Sequence, residues 1–493
     1  MTQVAAAPAA SPANDKRRVA ALSAAVALLL VIYVLPLPPA LQTAAGPVVL
    51  TAGGKACLAI MAFAVTAWVT ETLPFAVTSL LIVLLIPIFG IADFRTVVRA
   101  GFGDPIIVFF IGALLLSAAF TRSGLGTRLV YQLLKRVGTR TDSVLLGVLA
   151  AGSFISWWIT DMAVAAMLLP LGVGLLRDAA LLPGRSNVGR ALMIATAFGP
   201  LIGGIATPAG TAANLVAMSQ LKQLANVDIS FTRWMLYGVP GSLLMVPIAW
   251  RLLLWLFPPE LVRLPFTADD IERRLALLGP LQRNERATLI IFATVIGLWI
   301  ATPVFSSLTG GRLAPPVEAV ALAGGLSLFF PGIRVLNWKE AEREIEWGGI
   351  MLIVAGLSLG LVVFDTGAAR WLAWVLLGQI ASIPVAAQAF IVVLAVAALH
   401  LLFSSNTVTA SIIVPILVAL ANDLHLEPWA IVAPAAFTSS LAFILVSEGP
   451  TTIIPYSSGY FSIKDMARAG ICMTVAAAGC VAAAVFVGRQ FGW

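Results

Sequence analysis

The feature that most constrains this chain is a succession of apolar runs, each roughly 17 to 25 residues long, separated by short loops. In hydrocarbon every backbone N–H and C=O must find a partner inside the protein, so runs of this length become helices. With 60% hydrophobic and only 11% charged residues, the chain is predicted to be an all-α polytopic membrane protein. A soluble domain is excluded by that composition and a β-barrel is disfavoured by the run length.

Residues 1–18 are small, polar and proline-containing and end in Lys16, Arg17 and Arg18, which predicts a disordered cytoplasmic tail rather than a cleaved signal peptide. The net charge of +7 calls for no nucleic-acid partner. Its basic residues gather in loops between spans: Arg122, Arg128, Lys135, Arg136 and Arg140, then Arg177, Arg185 and Arg190. That is the positive-inside pattern. Cys57, Cys472 and Cys480 lie in apolar helices without CxxC spacing and read as buried free thiols.

An internal repeat organises the rest. "LAIMAFAVTAWVTETLP" pairs with "TLIIFATVIGLWIATPV", and "PIIVFFIGALLLSAAFTRSGLG" with "GGIMLIVAGLSLGLVVFDTGAA". "SWWITDMAVAAMLLP" (156–170) pairs with "LLFSSNTVTASIIVP" (401–415). Gly124 to Asp161 is 37 residues and Gly367 to Asn406 is 39, so order and spacing agree together. Residues 19–48 then form a first span with an outer loop, 49–257 the first unit, 258–286 a charged cytoplasmic linker, and 287–493 the second unit. Arginines flank both ends of 143–176, which predicts a re-entrant hairpin there and a counterpart at 385–421. The linker arginines (Arg263, Arg273, Arg274, Arg283, Arg286) start the second unit on the inside, so the units are inverted. The expected total is about eleven transmembrane helices plus two hairpins.

Inverted repeats with paired interrupted helices are the architecture of secondary transporters, with a midplane site between the interruptions. The interruptions are the tips Thr160-Asp161-Met162 and Ser405-Asn406-Thr407, and the Gly/Pro stretches "GGIATPAGTAAN" (203–214) and "SEGPTT" (447–452). Unwinding there frees carbonyls for Na+ and N–H groups for an anion. A lone Ser-Asn-Thr is usually a helix cap, and Gly/Pro kinks are common in membrane helices. The symmetric pairing is what favours a site.

Together with "AWVTETLPFAVTSLLIVLLIPIFGI" and "FFIGALLLSAAFTRSGL", these motifs resemble the divalent anion:sodium symporter family of the ion transporter superfamily, over nearly all of the chain after residue 50. The resemblance implies a homodimeric, elevator-type carrier in which Ser-Asn-Thr tips bind substrate carboxylates and each tip with its unwound partner holds a Na+. Carried over, it implies Thr160, Asp161, Thr211, Ser405, Asn406, Thr407 and Thr451 at the substrate, and Ser156, Thr160, Asp161, Gly210, Asn214, Ser404, Asn406, Glu448 and Gly449 at Na+. The second tip matches in full. At the first, Thr160, Asp161 and Met162 stand for Ser, Asn and Thr, and Ala212 and Ala213 replace two prolines. Gly449-Pro450-Thr451-Thr452 replaces Thr-Pro-Pro-Asn.

A midplane carboxylate is costly unless paired, protonated or bound to a cation. Asp161 is therefore either a charged cation ligand or H+-coupling group, or an acid held neutral or capping a half-helix. Glu448 either faces the second ion site or is solvated at the cytoplasmic mouth. His400 reads as a core residue rather than a proton relay. Glu71, Asp104 and Asp365 sit at span ends, where solvation or capping accounts for them, and Trp157 and Trp158 either pack the hairpin or wall the pocket. The expected function is Na+-coupled symport or exchange of small (di)carboxylates or related anions across the bacterial inner membrane, with no organic cofactor. The alternative is a cation/proton antiporter of the same superfamily using Asp161. No Ser/His dyad, aspartate pair or HExxH motif points to an enzyme.

Overall fold

The computed structural model describes residues 12–490 apart from 266, 267, 313 and 404. Helix α1 (Pro12–Val34) starts earlier than the composition suggested, so residues 12–18 are helical rather than part of a disordered tail. Proline in a first turn suits a helix start, because its φ is already helical and its missing N–H is no loss there. Residues 1–11 lie outside the described residues. The loop after α1 holds a departure from the all-helical expectation: β1 (Leu41–Thr43) pairs antiparallel with β2 (Gly46–Val48). Gly46, at φ 96°, supplies the left-handed turn residue, and Thr43 Oγ1 donates to its carbonyl at 2.6 Å.

The first unit continues with α2 (Ala52–Val69), α3 (Phe75–Ile88), the short amphipathic α4 (Phe94–Gly101), α5 (Pro105–Ser123) and α6 (Leu125–Val137). Asp104 caps α5 through the Ile106 N–H at 2.8 Å, with Pro105 behind it. A first hairpin follows, α7 (Thr141–Ser156) and α8 (Asp161–Asp178). A broken span comes next: α9 (Asn187–Gly204), a 3₁₀ turn at Pro208–Gly210, and α10 (Ala212–Ala225). Helix α11 (Phe231–Leu256) leads to the linker, where α12 (Ala268–Leu277) packs on α6.

The second unit runs through α13 (Arg283–Thr309), α14 (Val317–Ser327), α15 (Trp338–Glu344), α16 (Trp347–Asp365) and α17 (Ala368–Leu377). Its hairpin is α18 (Val385–His400) and α19 (Asn406–Asp423). Its broken span is α20 (Pro428–Thr438), a 3₁₀ turn at Val446–Glu448, and α21 (Pro450–Tyr456), and α22 (Ile463–Gln490) closes the described chain. Among the described residues eight helices are long and apolar enough to cross a bilayer, α19 among them. The other seven, the shorter α3 and α14, and the two broken pairs make up the eleven spans, with two hairpins besides.

Burial separates lipid-facing from enclosed helices. The apolar window of α1 is 11% buried and that of α19 is 83%, so the hairpin arm is sheathed in protein as non-spanning backbone at membrane depth requires. Helix α7 lies against α9, and α10 against α16 and α19. Glycine permits this closeness: a Cβ on Gly199 would stand 2.9 Å from the Leu149 carbonyl, and one on Gly203 would collide with the carbonyl of Ser153.

Candidate functional site

The two hairpin tips meet at one cavity of about 160 Å³. At the first tip α7 ends at Ser156 and α8 begins at Asp161, with Thr160 in extended backbone (φ −60°, ψ 138°) before it. At the second, Ser405 (φ −155°, ψ 127°) precedes α19, which begins at Asn406. Each tip thus presents the N-terminus of a half-helix, whose free N–H groups and positive dipole end favour negative charge. Thr160, Asp161, Thr211, Ser405, Asn406, Thr407 and Thr451 all line this cavity, so every residue assigned to the substrate by resemblance faces it.

Three oxygens around the tips are buried without a hydrogen-bond partner: Ser156 Oγ, Asp161 Oδ2 and Asn406 Oδ1. Asp161 is only 7% exposed, and its other oxygen accepts from the Met162 N–H at 2.8 Å. A Cβ on Gly204 would lie 3.7 Å from Asp161 Cβ, 3.7 Å from the Gly210 carbonyl and 3.8 Å from Ser156 Oγ. Ser156, Asp161 and Gly210 therefore converge. Gly210 tolerates no side chain, because a Cβ there would stand 2.7 Å from the Ser156 carbonyl and collide with that of Gly204. On the other side, a Cβ on Gly449 would lie 3.8 Å from Asn406 Oδ1, which places the second unwound segment beside the second tip. Oxygen donors of this kind, left unsatisfied, suit a dehydrated monovalent cation.

The unwound segments are held by matching braces. Asn214 Nδ2 donates to the carbonyls of Gly204 (2.7 Å) and Thr207 (2.8 Å). Thr452 Oγ1 lies within hydrogen-bonding distance of the carbonyls of Val446 (2.8 Å) and Gly449 (2.7 Å), with one proton to share between them. The side-chain oxygen Asn214 Oδ1 accepts from Ser440 Oγ at 3.2 Å, which ties the two broken spans together. Asn214, expected as an ion ligand, thus spends its amide nitrogen on the backbone around the site. The Glu448 carboxylate accepts from the Leu445 N–H (2.9 Å) and the Ile444 N–H (3.2 Å). A 3₁₀ turn folds the Glu448 side chain back onto the amides that start it, so it neither lines the cavity nor is solvated. Ser404 lies outside the described residues.

Trp157 packs outward, its Nε1 donating to Ser242 Oγ on α11 at 3.3 Å, and neither Trp157 nor Trp158 lines the cavity. His400 is buried one turn before the second tip and away from the cavity lining, as expected of a core residue. Residues that the sequence reading did not single out also line it, Phe75, Phe110 and Glu346 among them, together with Glu71 and with Ser447 of the second unwound stretch. Glu71 is exposed just past the end of α2, as a span-end residue accounted for by solvation or capping should be, and also reaches the cavity rim. The signal that could have found Glu346 is its place at the start of α16, a helix that repeats α5.

Inverted units, paired re-entrant hairpins and broken spans enclosing a polar cavity define a multi-pass membrane transporter, not an enzyme. The family model for the sodium:sulfate symporter transmembrane region matches residues 16–491, and the chain belongs to that family. It is 28% identical over 435 residues to the sodium-dependent dicarboxylate transporter SdcS of Staphylococcus saprophyticus, covering 85% of this chain and 82% of the relative. To SdcS of Staphylococcus aureus USA300 it is 29% identical over 443 residues, covering 86% and 84%. Among solved structures it resembles the Alcanivorax borkumensis YdaH transporter, with TM-score 0.54, 17% identity and coverage of 97% and 98%. It also resembles Neisseria gonorrhoeae MtrF, described as one of a class of antimetabolite efflux pumps, with TM-score 0.57, 12% identity and coverage of 96% and 94%. At such identity these two report on the fold alone.

Proposed function

We propose that the chain is a secondary active carrier that moves small carboxylates across the bacterial inner membrane, driven by Na+ in symport or exchange. The observation that carries this reading is the convergence of both tips on one cavity, with three unpartnered oxygens beside it. Ser405, Asn406 and Thr407 receive a substrate carboxylate through hydroxyls, amide and the half-helix N-terminus of α19. Ser156 Oγ, Asp161 Oδ2 and the backbone at Gly210 hold one Na+, and Asn406 Oδ1 with the backbone at Gly449 another. An ionised Asp161 repels an anion unless a cation stands between them, so Na+ binds before or with the substrate. The Na+ dependence and dicarboxylate cargo in the names of the SdcS relatives support the same ion and cargo class.

The hairpins and broken spans form the moving body of an elevator, carried on a dimeric scaffold of the remaining helices, with the N-terminus in the cytoplasm. The cavity is rimmed by the α2–α3 turn and the start of α16, ends that the loop charges assign to the cytoplasm, so the carrier faces inward. Proteoliposomes test this: labelled succinate, citrate and sulfate uptake is expected to rise with an imposed inward Na+ gradient. Cation or proton exchange with no carboxylate dependence would instead favour a cation/proton antiporter, the reading that the unpartnered Asp161 oxygen supports.

A further inference from the structure

The two tips meet the cavity differently, although each opens a half-helix on it. At the first, Asp161 Oδ1 accepts from the Met162 N–H at 2.8 Å, so a free amide of the α8 N-terminus is taken by the acid that starts the helix. That carboxylate also sets a negative charge at the positive end of the helix dipole, the place a ligand's anion would otherwise take. At the second tip Ser405 makes no side-chain cap, and Asn406 Oδ1, the one acceptor of that side chain, has no hydrogen-bond partner. The N-terminus of α8 is therefore capped by its own acid, and that of α19 is capped by neither residue that starts it.

The side chains one position further on differ in the same direction. Thr407 brings a hydroxyl to the cavity, whereas Met162, at the matching place, brings a thioether that donates nothing. Phe75, Phe110 and Leu352 add apolar lining from α3, α5 and α16, and among the described residues no Lys, Arg or His lines the cavity. Thr160, Thr211 and Thr451 line it with hydroxyls, donors that carry no charge. A second substrate carboxylate at the first tip would be desolvated beside Asp161, and the Na+ there is already matched by that acid. Such an unanswered charge discriminates against a dianion.

We propose that the substrate is a singly charged carboxylate, held by its one carboxylate at Ser405, Asn406 and Thr407, with an uncharged far end against the first tip. This rests on the Na+-driven carboxylate carrier proposed above and names its substrate class. Asp161 stands where a dicarboxylate's second carboxylate would go, Na+ answers its charge, and Met162 withholds the hydroxyl that a second carboxylate would need.

The test compares Na+-driven uptake of labelled succinate with that of labelled succinamate, which keeps the same carbon skeleton and has a neutral amide in place of one carboxylate. Proteoliposomes carry the parent, Met162→Thr or the double variant Asp161→Asn/Met162→Thr, at neutral pH and saturating Na+. Preferred uptake of succinamate by the parent is expected. In the double variant the ratio of succinate to succinamate uptake is expected to rise at least tenfold, and to rise less in Met162→Thr, where Asp161 still caps α8. The ratio is taken within one preparation, so a loss of folded protein leaves it unmoved. Succinate carried by the parent as well as succinamate, or better, overturns the inference and leaves the carrier reading standing. A ratio that the double variant does not move overturns the assignment to the first tip. Absence of Na+-driven uptake of either compound overturns the carrier reading and the inference with it.

Discussion

A carboxylate oxygen buried without a partner, as Asp161 Oδ2 is, costs several kcal/mol if it is ionised and no cation is present. That cost is tolerable in a carrier, because it is relieved when the ion arrives. Asp161→Asn removes it and should leave the melting temperature equal or higher, while the Na+ concentration needed for half-maximal uptake rises at least tenfold. Unaltered Na+ and pH dependence of uptake in that variant would sink the role given to Asp161. Spacing alone picked out Asp161, Asn406 and their neighbours, because tips in a repeat recur at nearly equal distances. Spacing does not reveal what Glu448 and Asn214 bond to: in unwound backbone the nearest unsatisfied groups are the chain's own, reached by Glu448 from three and four residues away and by Asn214 from seven and ten.

Among the elements, α6 and α13 are fastened by a buried pair. Arg128 Nε donates to Glu285 Oε1 at 2.7 Å, its Nη2 to Oε2 at 2.9 Å, and its guanidinium also reaches the carbonyls of Leu278, Gly279 and Pro280. The hydrogen bond to Glu285 raises the Arg128 pKa further above its ordinary value, so the cation is permanent. Glu285→Gln strands that cation, and a loss of about 3–5 kcal/mol is expected; an unchanged midpoint of thermal unfolding in detergent contradicts it. In the linker, Glu260 accepts from Ser186 Oγ and from the Val188 N–H at 3.0 Å, capping α9. Burial raises its pKa, but the Ser186 hydroxyl and the amides at the start of α9 outweigh it and hold the carboxyl below 4.5. Its folded pKa lies below the unfolded one, so this stability is present at neutral pH and is lost as pH falls through the folded value. Pepsin should therefore cut within 258–286 readily only well below pH 4.5, and Glu260→Gln should be cut already at that pH. Helices, hairpins and the linker were legible from apolar period and loop charge. The β1–β2 pair was not, because three-residue strands with alanines at the turn carry no pattern distinguishable from loop.

For the whole molecule, the cavity's direction of opening can be tested without any substrate. Cys57 and Cys480 are buried and Cys472 is partly so, which makes a Cys472→Ser background suitable for labelling. Met162→Cys in that background should react with a membrane-impermeant maleimide in inside-out vesicles, and Na+ plus substrate should slow the reaction. Reaction from the outer face alone contradicts the inward-facing assignment. The sequence by itself determined that the chain spans a membrane, that it is two related units and that two short polar runs lie at matching places. Apolar run length, charge in loops and repeat spacing are local or periodic quantities, readable along one dimension. Only the tertiary structure decided which oxygens remain free, that Glu448 is spent on its own backbone, and that Glu71 and Glu346, distant in sequence from both tips, share their cavity. Those facts depend on which backbone groups the folded chain leaves unsatisfied and on which helix ends it brings together, and neither is written in the order of residues.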